Sequence, residues 1–210
     1  IRLCLSRSDI FKPQLRAALR AGYGNNLKLM FPMVATVDDV VKVRAVLEEC
    51  KQELRDEGHD VAEEMEIGIM IEIPSAAILA DQLAEVVDFF SIGTNDLSQY
   101  TLAADRTNAQ VAPMASGFQP AVFRLIKMVI DAAHAKGKWV GLCGEMAGSP
   151  LEAMAWIALG FRSISMAPTS IGPVKQMLLN LDSVKAGAFL RDHFEDQADS
   201  LREPLVGFAR

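Results

Sequence analysis

The chain has 210 residues, half of them hydrophobic, with 21 basic and 27 acidic side chains and a net charge of −6. That length and composition suit one domain with a sizeable core, over residues 1–210. The acidic balance and the lack of a basic block argue against a nucleic-acid partner, and the apolar stretches are too short and too interrupted to cross a bilayer.

Residues 1–5, Ile1-Arg2-Leu3-Cys4-Leu5, read as a strand. Position 1 is not Met and no signal peptide is present, so a chain that starts inside a strand reads as a piece of a longer protein. Residues 27–33 form the next apolar run. Thr36-Val37-Asp38-Asp39 is a capping-box-like helix start, with Asp where Glu or Gln is usual. Val40, Val43, Leu47 and Cys50 fall on one face of that helix, and Gly58 is its stop. Cys50 therefore reads as core. Further apolar runs span 67–73, 86–93, 138–143 and 163–167, and runs apolar on both faces are typical of buried parallel strands. Helical patterns cover 120–136, with Val122, Leu125, Ile126, Val129 and Ile130 inward, then 150–159 and 172–181. The last thirty residues read as a final helix and a polar tail.

Repeated strand-then-helix order implies parallel strands joined by crossovers, so the class is α/β, with a doubly wound sheet and a (β/α)8 barrel both open. No GxGxxG, Walker A or GxSxG sequence follows a strand. Cys4, Cys50 and Cys143 are an odd, widely spaced set, which points to reduced thiols in the cytoplasm rather than a disulfide framework. No CxxC or Cys/His spacing suggests zinc.

In parallel α/β folds the active site gathers at the carboxyl ends of the strands. Glu72 stands there between Ile71 and Ile73, where a lone carboxylate is costly. It is either salt-bridged to a core arginine, or a metal ligand or acid/base. Gly93-Thr94-Asn95-Asp96 ends the next run, either as a local turn or as a ligand site. Glu72 and Asp96 end consecutive strands, and two carboxylates with open positions suit Mg²⁺ or Mn²⁺. Asp81 and Asp88 fall at helix or loop edges and read as solvated. Arg106 is a surface arginine, or a phosphate or carboxylate clamp if it lies near such an ion. Cys143, beside Gly144 and Glu145, is a core thiol, a nucleophile or a neutral proton donor. His59, His134 and His193 have no evident partner and read as surface residues.

The stretches GIMIEIPSAA, DFFSIGTNDLSQYTLAADRTN and GKWVGLCGEMAG, with LKLMFPMVATVDDV and KQELRDEG, together resemble the phosphoenolpyruvate (PEP)-binding domain of Enzyme I of the bacterial phosphotransferase system. The resemblance runs over nearly the whole chain in the family's order. It implies a (β/α)8 TIM-type barrel that binds PEP with Mg²⁺, or Mn²⁺ in its place. By position it implies metal ligation by Glu72 and Asp96. Asn95 and the Asn95-Asp96 backbone then contact phosphate, Arg106 grips the substrate, and Cys143 protonates C3 of the enolate as pyruvate forms. The implied partners are PEP and pyruvate, an N-terminal phosphohistidine domain, the HPr phosphocarrier beyond it, and a second copy in a homodimer.

The family's barrel begins upstream of this chain, and further phosphate-binding arginines of its earlier strands have no counterpart here. The expectation is an incomplete barrel lacking its first strands, with an exposed edge at residues 1–5, unable to complete phosphotransfer alone. Pyruvate phosphate dikinase and PEP synthase share this barrel type. Met146 and Ala147, where the dikinase usually has His and Gly, favour Enzyme I. A non-catalytic PEP-sensing or dimerisation module is the alternative of another class. A Mg²⁺-dependent carbon–carbon lyase is a third, disfavoured by the Thr-Asn-Asp and Cys-Gly-Glu motifs.

Overall fold

A short helix, α1 (Arg2–Ser6), and a longer one, α2 (Ser8–Gly22), lead into the first strand, β1 (Leu29–Phe31). There follow α3 (Val37–Asp56), β2 (Ile67–Ile71), α4 (Pro74–Ile78), α5 (Ala80–Val86), β3 (Phe89–Gly93) and α6 (Thr94–Leu102). After a 3-10 turn at Ala112–Ala115 come α7 (Pro120–Ala135), β4 (Trp139–Cys143) and a second 3-10 turn at Glu145–Gly148. The chain continues with α8 (Pro150–Ala158), β5 (Ser163–Ser165), α9 (Pro168–Leu179), α10 (Ser183–Phe194) and α11 (Arg202–Phe208). The computed structural model describes residues 1–115, 119–194 and 202–209.

The strands form one parallel sheet in the order β1-β2-β3-β4-β5. Their sequence order equals their spatial order, as in a barrel wall, and the arrangement is that of an incomplete (β/α)8 barrel. Side chains alternate between the two faces of a strand, and here the faces differ in kind. Phe31, Ile69, Ile71, Phe90, Ile92, Val140 and Leu142 share one face and are all buried in the main core. Each fully buried side chain of this size stabilises the fold by about 1.5–3 kcal/mol. The opposite face carries Gly68, Met70, Ser91, Gly141, Ser163 and Ser165 and is partly open. It corresponds to the interior of a barrel whose wall is incomplete in this chain.

The helix α3 starts as its sequence predicts. The Thr36 hydroxyl accepts from the Asp39 amide at 3.3 Å, and the Asp39 carboxylate accepts from the Thr36 amide at 3.0 Å. Such a cap is worth about 1 kcal/mol. Val40, Val43, Leu47 and Cys50 are buried along the helix, and Gly58 takes a φ of +78° just beyond it.

Three expectations need correction. Residues 1–5 are not a strand. Ile1, Cys4 and Leu5 turn inward while Leu3 is 66% exposed, which is helical spacing, and the Leu5 amide donates to the Ile1 carbonyl at 3.0 Å. Alternation would have placed Leu3 with Ile1 and Leu5. The sheet edge on that side is therefore β1. The helix expected at 172–181 begins at Pro168, because proline is welcome in the first turn, where its missing N–H has no partner to lose. The tail is not simply polar: α11 buries Leu205 and stacks Phe208 on Phe189 at 4.8 Å, while residues 195–201 and 210 lie outside those described. Along α7 the side chains expected inward are buried, Leu125 partly so and packed against the core, and Phe123 joins them. No helix among the described residues is long and apolar enough to cross a membrane.

Candidate functional site

Parallel pairing brings all the strand carboxyl ends to one rim. Ile71 pairs with Ile92 and Gly93 with Cys143, which in turn pairs with Ser165. Glu72, one residue beyond β2, therefore stands beside Gly93. The approach is close: a Cβ at Gly93 would lie 3.1 Å from both Cβ and Oε2 of Glu72 and 3.0 Å from Met70 Sδ.

Glu72 is 4% exposed, and among the described residues it forms no ion pair, so the core-arginine reading fails. Its Oε1 accepts from the Met33 amide at 2.6 Å, presented by an unusual backbone with φ of 55° at Met33. Burial pushes the Glu72 carboxyl up from its ordinary range; the Met33 amide opposes the rise and the neighbouring Asp96 adds to it. A second carboxylate nearby disfavours ionisation of the first, which is why Asp96 adds to the rise.

Asp96 lies in the first turn of α6, and its Oδ1 is 3.3 Å from Nη2 of Arg106. Arg106 is half-exposed on the loop after α6, its amide donating to Gln99 Oε1 at 3.1 Å. The Asp105 carboxylate accepts from the amide and hydroxyl of Thr107, both at 2.8 Å, and so holds the turn around it. Asn95 Oδ1 accepts from the Glu145 amide at 3.3 Å, which leaves its NH₂ end as the donor side.

Cys143 ends β4 half-buried. Its Sγ donates to the Ile92 carbonyl at 3.5 Å and accepts from Ser91 Oγ at 3.8 Å. Gly144 then turns with φ of +130°, where a Cβ would sit 2.2 Å from Thr94 Oγ1. That hydroxyl, fully buried, donates to the Cys143 carbonyl at 3.2 Å. Thr94 and Asn95 thus tie the Cys143–Glu145 corner to the start of α6 from both sides of Gly144. Next to this corner, an open cleft of about 650 Å³ is lined by Asn95, Gly144, Glu145, Ser149, Ser165 and Ser170 among others.

All five residues singled out from the sequence, Glu72, Asn95, Asp96, Arg106 and Cys143, stand at this one rim. Asp88 is at the opposite end, its carboxylate accepting from the Ile67 amide at 2.9 Å, and Asp81 is exposed on α5. His59 and His134 are on the surface. His193 is not: its Nδ1 is 2.8 Å from the Phe189 carbonyl and its ring stacks on Phe189 at 4.1 Å. Sequence reasoning passed over Met33 and Ser91 as partners of the site, and took Thr94 only as a small residue beside Asn95 and Asp96. Thr94 alone had a signal, its place inside the Gly-Thr-Asn-Asp run. Among the described residues no group of three or more His, Cys, Asp or Glu could hold a metal ion. The Glu72–Asp96 pair offers two oxygen donors, a set that fits a hard divalent cation taking its other ligands from water and substrate.

A family model described as the PEP-binding domain of PEP-utilising enzymes matches residues 1–183. The chain belongs to that family. Phosphoenolpyruvate-protein phosphotransferase from Geobacillus stearothermophilus is 54% identical over 186 residues, covering 89% of this chain and 32% of the relative. The Bacillus subtilis (strain 168) enzyme of the same name is 50% identical over 189 residues, 90% of this chain and 33% of the relative. The resemblance to the Enzyme I PEP-binding domain is borne out, and the chain spans about a third of the length of these curated relatives. Among solved structures, a citrate lyase from Burkholderia xenovorans LB400 has a TM-score of 0.61 at 20% identity, covering 89% of this chain and 60% of its own. A citrate lyase beta subunit from M. tuberculosis, complexed with oxaloacetate and magnesium, has a TM-score of 0.54 at 16% identity, covering 80% of this chain and 66% of its own. At these identities the likeness is one of fold.

Proposed function

We propose that this PEP-binding domain serves a PEP-dependent protein phosphotransferase of the Enzyme I type, forming a single domain over residues 1–210. It binds PEP with a divalent cation, Mg²⁺ or Mn²⁺, and releases pyruvate as the phosphoryl group passes to a histidine on a separate N-terminal domain and then to HPr. The observation that carries this reading is the close pairing of Glu72 with Asp96 at the ends of adjacent strands, with Arg106 on Asp96 and Cys143 on the next strand.

Glu72 and Asp96 would hold the cation, which when bound supplies positive charge against the phosphoryl oxygens. Arg106 adds a second positive charge that a phosphate or carboxylate can share with Asp96. Asn95 presents its NH₂ end because the Glu145 amide occupies its oxygen. The amides in the first turn of α6 have no partner within the helix and favour an anion. Cys143 gives its proton to C3 of the enolate left when the phosphoryl group departs. Its sulfur is on β4 and its carbonyl is fixed by Thr94, so the thiol is held rather than free to rotate away with a loop.

The domain works in the cytoplasm and pairs with a second copy of itself. Phosphotransfer needs parts beyond these residues, because the phosphate-bearing histidine has no counterpart at the rim. Calorimetric titration of the chain with PEP, with and without Mg²⁺, tests the reading. Binding that requires Mg²⁺ is the expected result. Binding that is indifferent to Mg²⁺, or none by a folded chain, contradicts a complete cation-dependent PEP site on these residues.

A further inference from the structure

On β3 the residues facing the barrel interior are Phe89, Ser91 and Gly93, level with Trp139, Gly141 and Cys143 of β4. Phe89 stacks on Trp139, and Gly93 makes room for Glu72. Ser91 has neither task. A serine gains little from a strand position of this kind, and it is half-buried between apolar rows. Its hydroxyl lies 3.8 Å from Cys143 Sγ, within reach of an O–H···S hydrogen bond. Gly141, directly opposite on β4, brings no side chain into the space beside it.

The two β3 contacts of the sulfur are chemically unlike. The Ile92 carbonyl, 3.5 Å from Sγ, is an acceptor and suits only the protonated thiol. The Ser91 hydroxyl is a donor and suits the sulfur best when it is negatively charged.

We propose that Ser91 is a positioning residue for Cys143, steering the thiol and holding the sulfur once its proton has left. The proposal rests on the reading of Cys143 as proton donor to the enolate. In that step the S–H proton moves to C3. The C2–C3 π pair becomes the new C–H bond, an oxygen pair re-forms the C2 carbonyl, and the S–H pair stays on sulfur as a thiolate. A half-buried thiolate beside a carbonyl oxygen needs a donor, and Ser91 is placed to be one until water returns the proton.

Site-mapped alkylation of the native chain by iodoacetamide at one mildly alkaline pH tests the contact itself, independently of any substrate. Ser91→Ala is expected to slow alkylation of Cys143 about tenfold, the size of one hydrogen bond to a charged group. Ser91→Thr, which keeps the hydroxyl, restores the rate. Cys50 is 0% exposed and reports any opening of the fold in the same experiment. If Ser91→Ala exposes Cys50, Ser91→Val, which keeps the branched shape of threonine and suits a strand but lacks the hydroxyl, is read against Ser91→Thr instead. An unchanged or faster Cys143 rate in a folded variant overturns the proposal. Deuterium exchange at C3 of pyruvate, on the same proteins, reads the proton-donor role separately. Slower exchange in Ser91→Ala with pyruvate KM unchanged supports the proposal. Wild-type exchange that survives Cys143→Ala overturns the donor reading, and with it the catalytic purpose assigned to Ser91, while the alkylation rates still decide the contact.

Discussion

Glu66 enters β2 half-exposed, with Lys28 paired to its carboxylate and the Trp139 indole N–H 3.4 Å away. Glu72 leaves the same strand buried, with one backbone amide and a second carboxylate for company. Their titrations move in opposite directions: the Lys28 ammonium draws Glu66 down, while burial drives Glu72 up. The contrast extends across the sheet. At the amino ends of the strands, Phe89 covers Gly68 and stacks on Trp139 at 4.4 Å, with Lys28 5.1 Å over the indole. That floor has its charges paired and its rings packed. At the carboxyl ends two acidic side chains meet, Asp96 paired with Arg106 and Glu72 held by a single backbone amide. Perturbed carboxyls brought together in this way cluster at functional sites.

The largest expected effect is at the rim. On the proposed reading of Asp96 as a cation ligand, Asp96→Asn should weaken Mg²⁺-dependent PEP binding by more than about 100-fold, beyond the roughly 10–100-fold typical of a supporting residue. Thermal melting of the same variant should not fall, because a like charge beside Glu72 has gone. Calorimetry and a melting curve read the two together, and equal loss in both would erase the distinction between rim and floor. The converse change is Gly68→Ala. Its Cβ would meet the Phe89 ring at 2.4 Å, an overpacking that costs about 1–3 kcal/mol in urea unfolding with PEP affinity of the folded fraction unchanged.

A smaller effect is expected from a supporting residue of the rim. Thr94→Val removes a buried hydroxyl and leaves the Cys143 carbonyl without its donor, at a cost of about 1 kcal/mol. Deuterium exchange at C3 of pyruvate should slow more than PEP binding weakens, and Thr94→Ser should recover it. The smallest effect belongs to Glu66→Gln. A depressed carboxyl contributes stability that is present above the ordinary carboxylate range and lost as pH falls through its folded value. Lys28 and Glu66 are both more than a third exposed, so the loss is slight. The variant should melt a little below wild type at neutral pH and equal it in acid; a difference that persists in acid would point to packing on Trp139 instead.

Much of this was legible in the sequence. Five apolar runs gave strands, because each is short, largely apolar on both faces and separated from the next by a helical pattern. Glu72 stood out by interrupting such a run, and the Asn95-Asp96 and Cys143 positions by following one. Residues 1–5 misled because a single helical turn and a short strand share the same apolar count, and packing against α2 and α3 decided between them. Met33 and Ser91 were illegible for another reason, and Thr94 was legible only as a member of the Gly-Thr-Asn-Asp run. Their parts depend on pairing between β3 and β4 and on backbone turns at Met33 and Gly144, which no local pattern announces.

Anomalous scattering from Mn²⁺ in crystals of the chain grown with PEP tests the central claim most directly. The account predicts one ion bound by carboxylate oxygens of both Glu72 and Asp96, with PEP beside Arg106 and Cys143. PEP bound at the rim with no ion on those two carboxylates, or an ion held elsewhere, would contradict it.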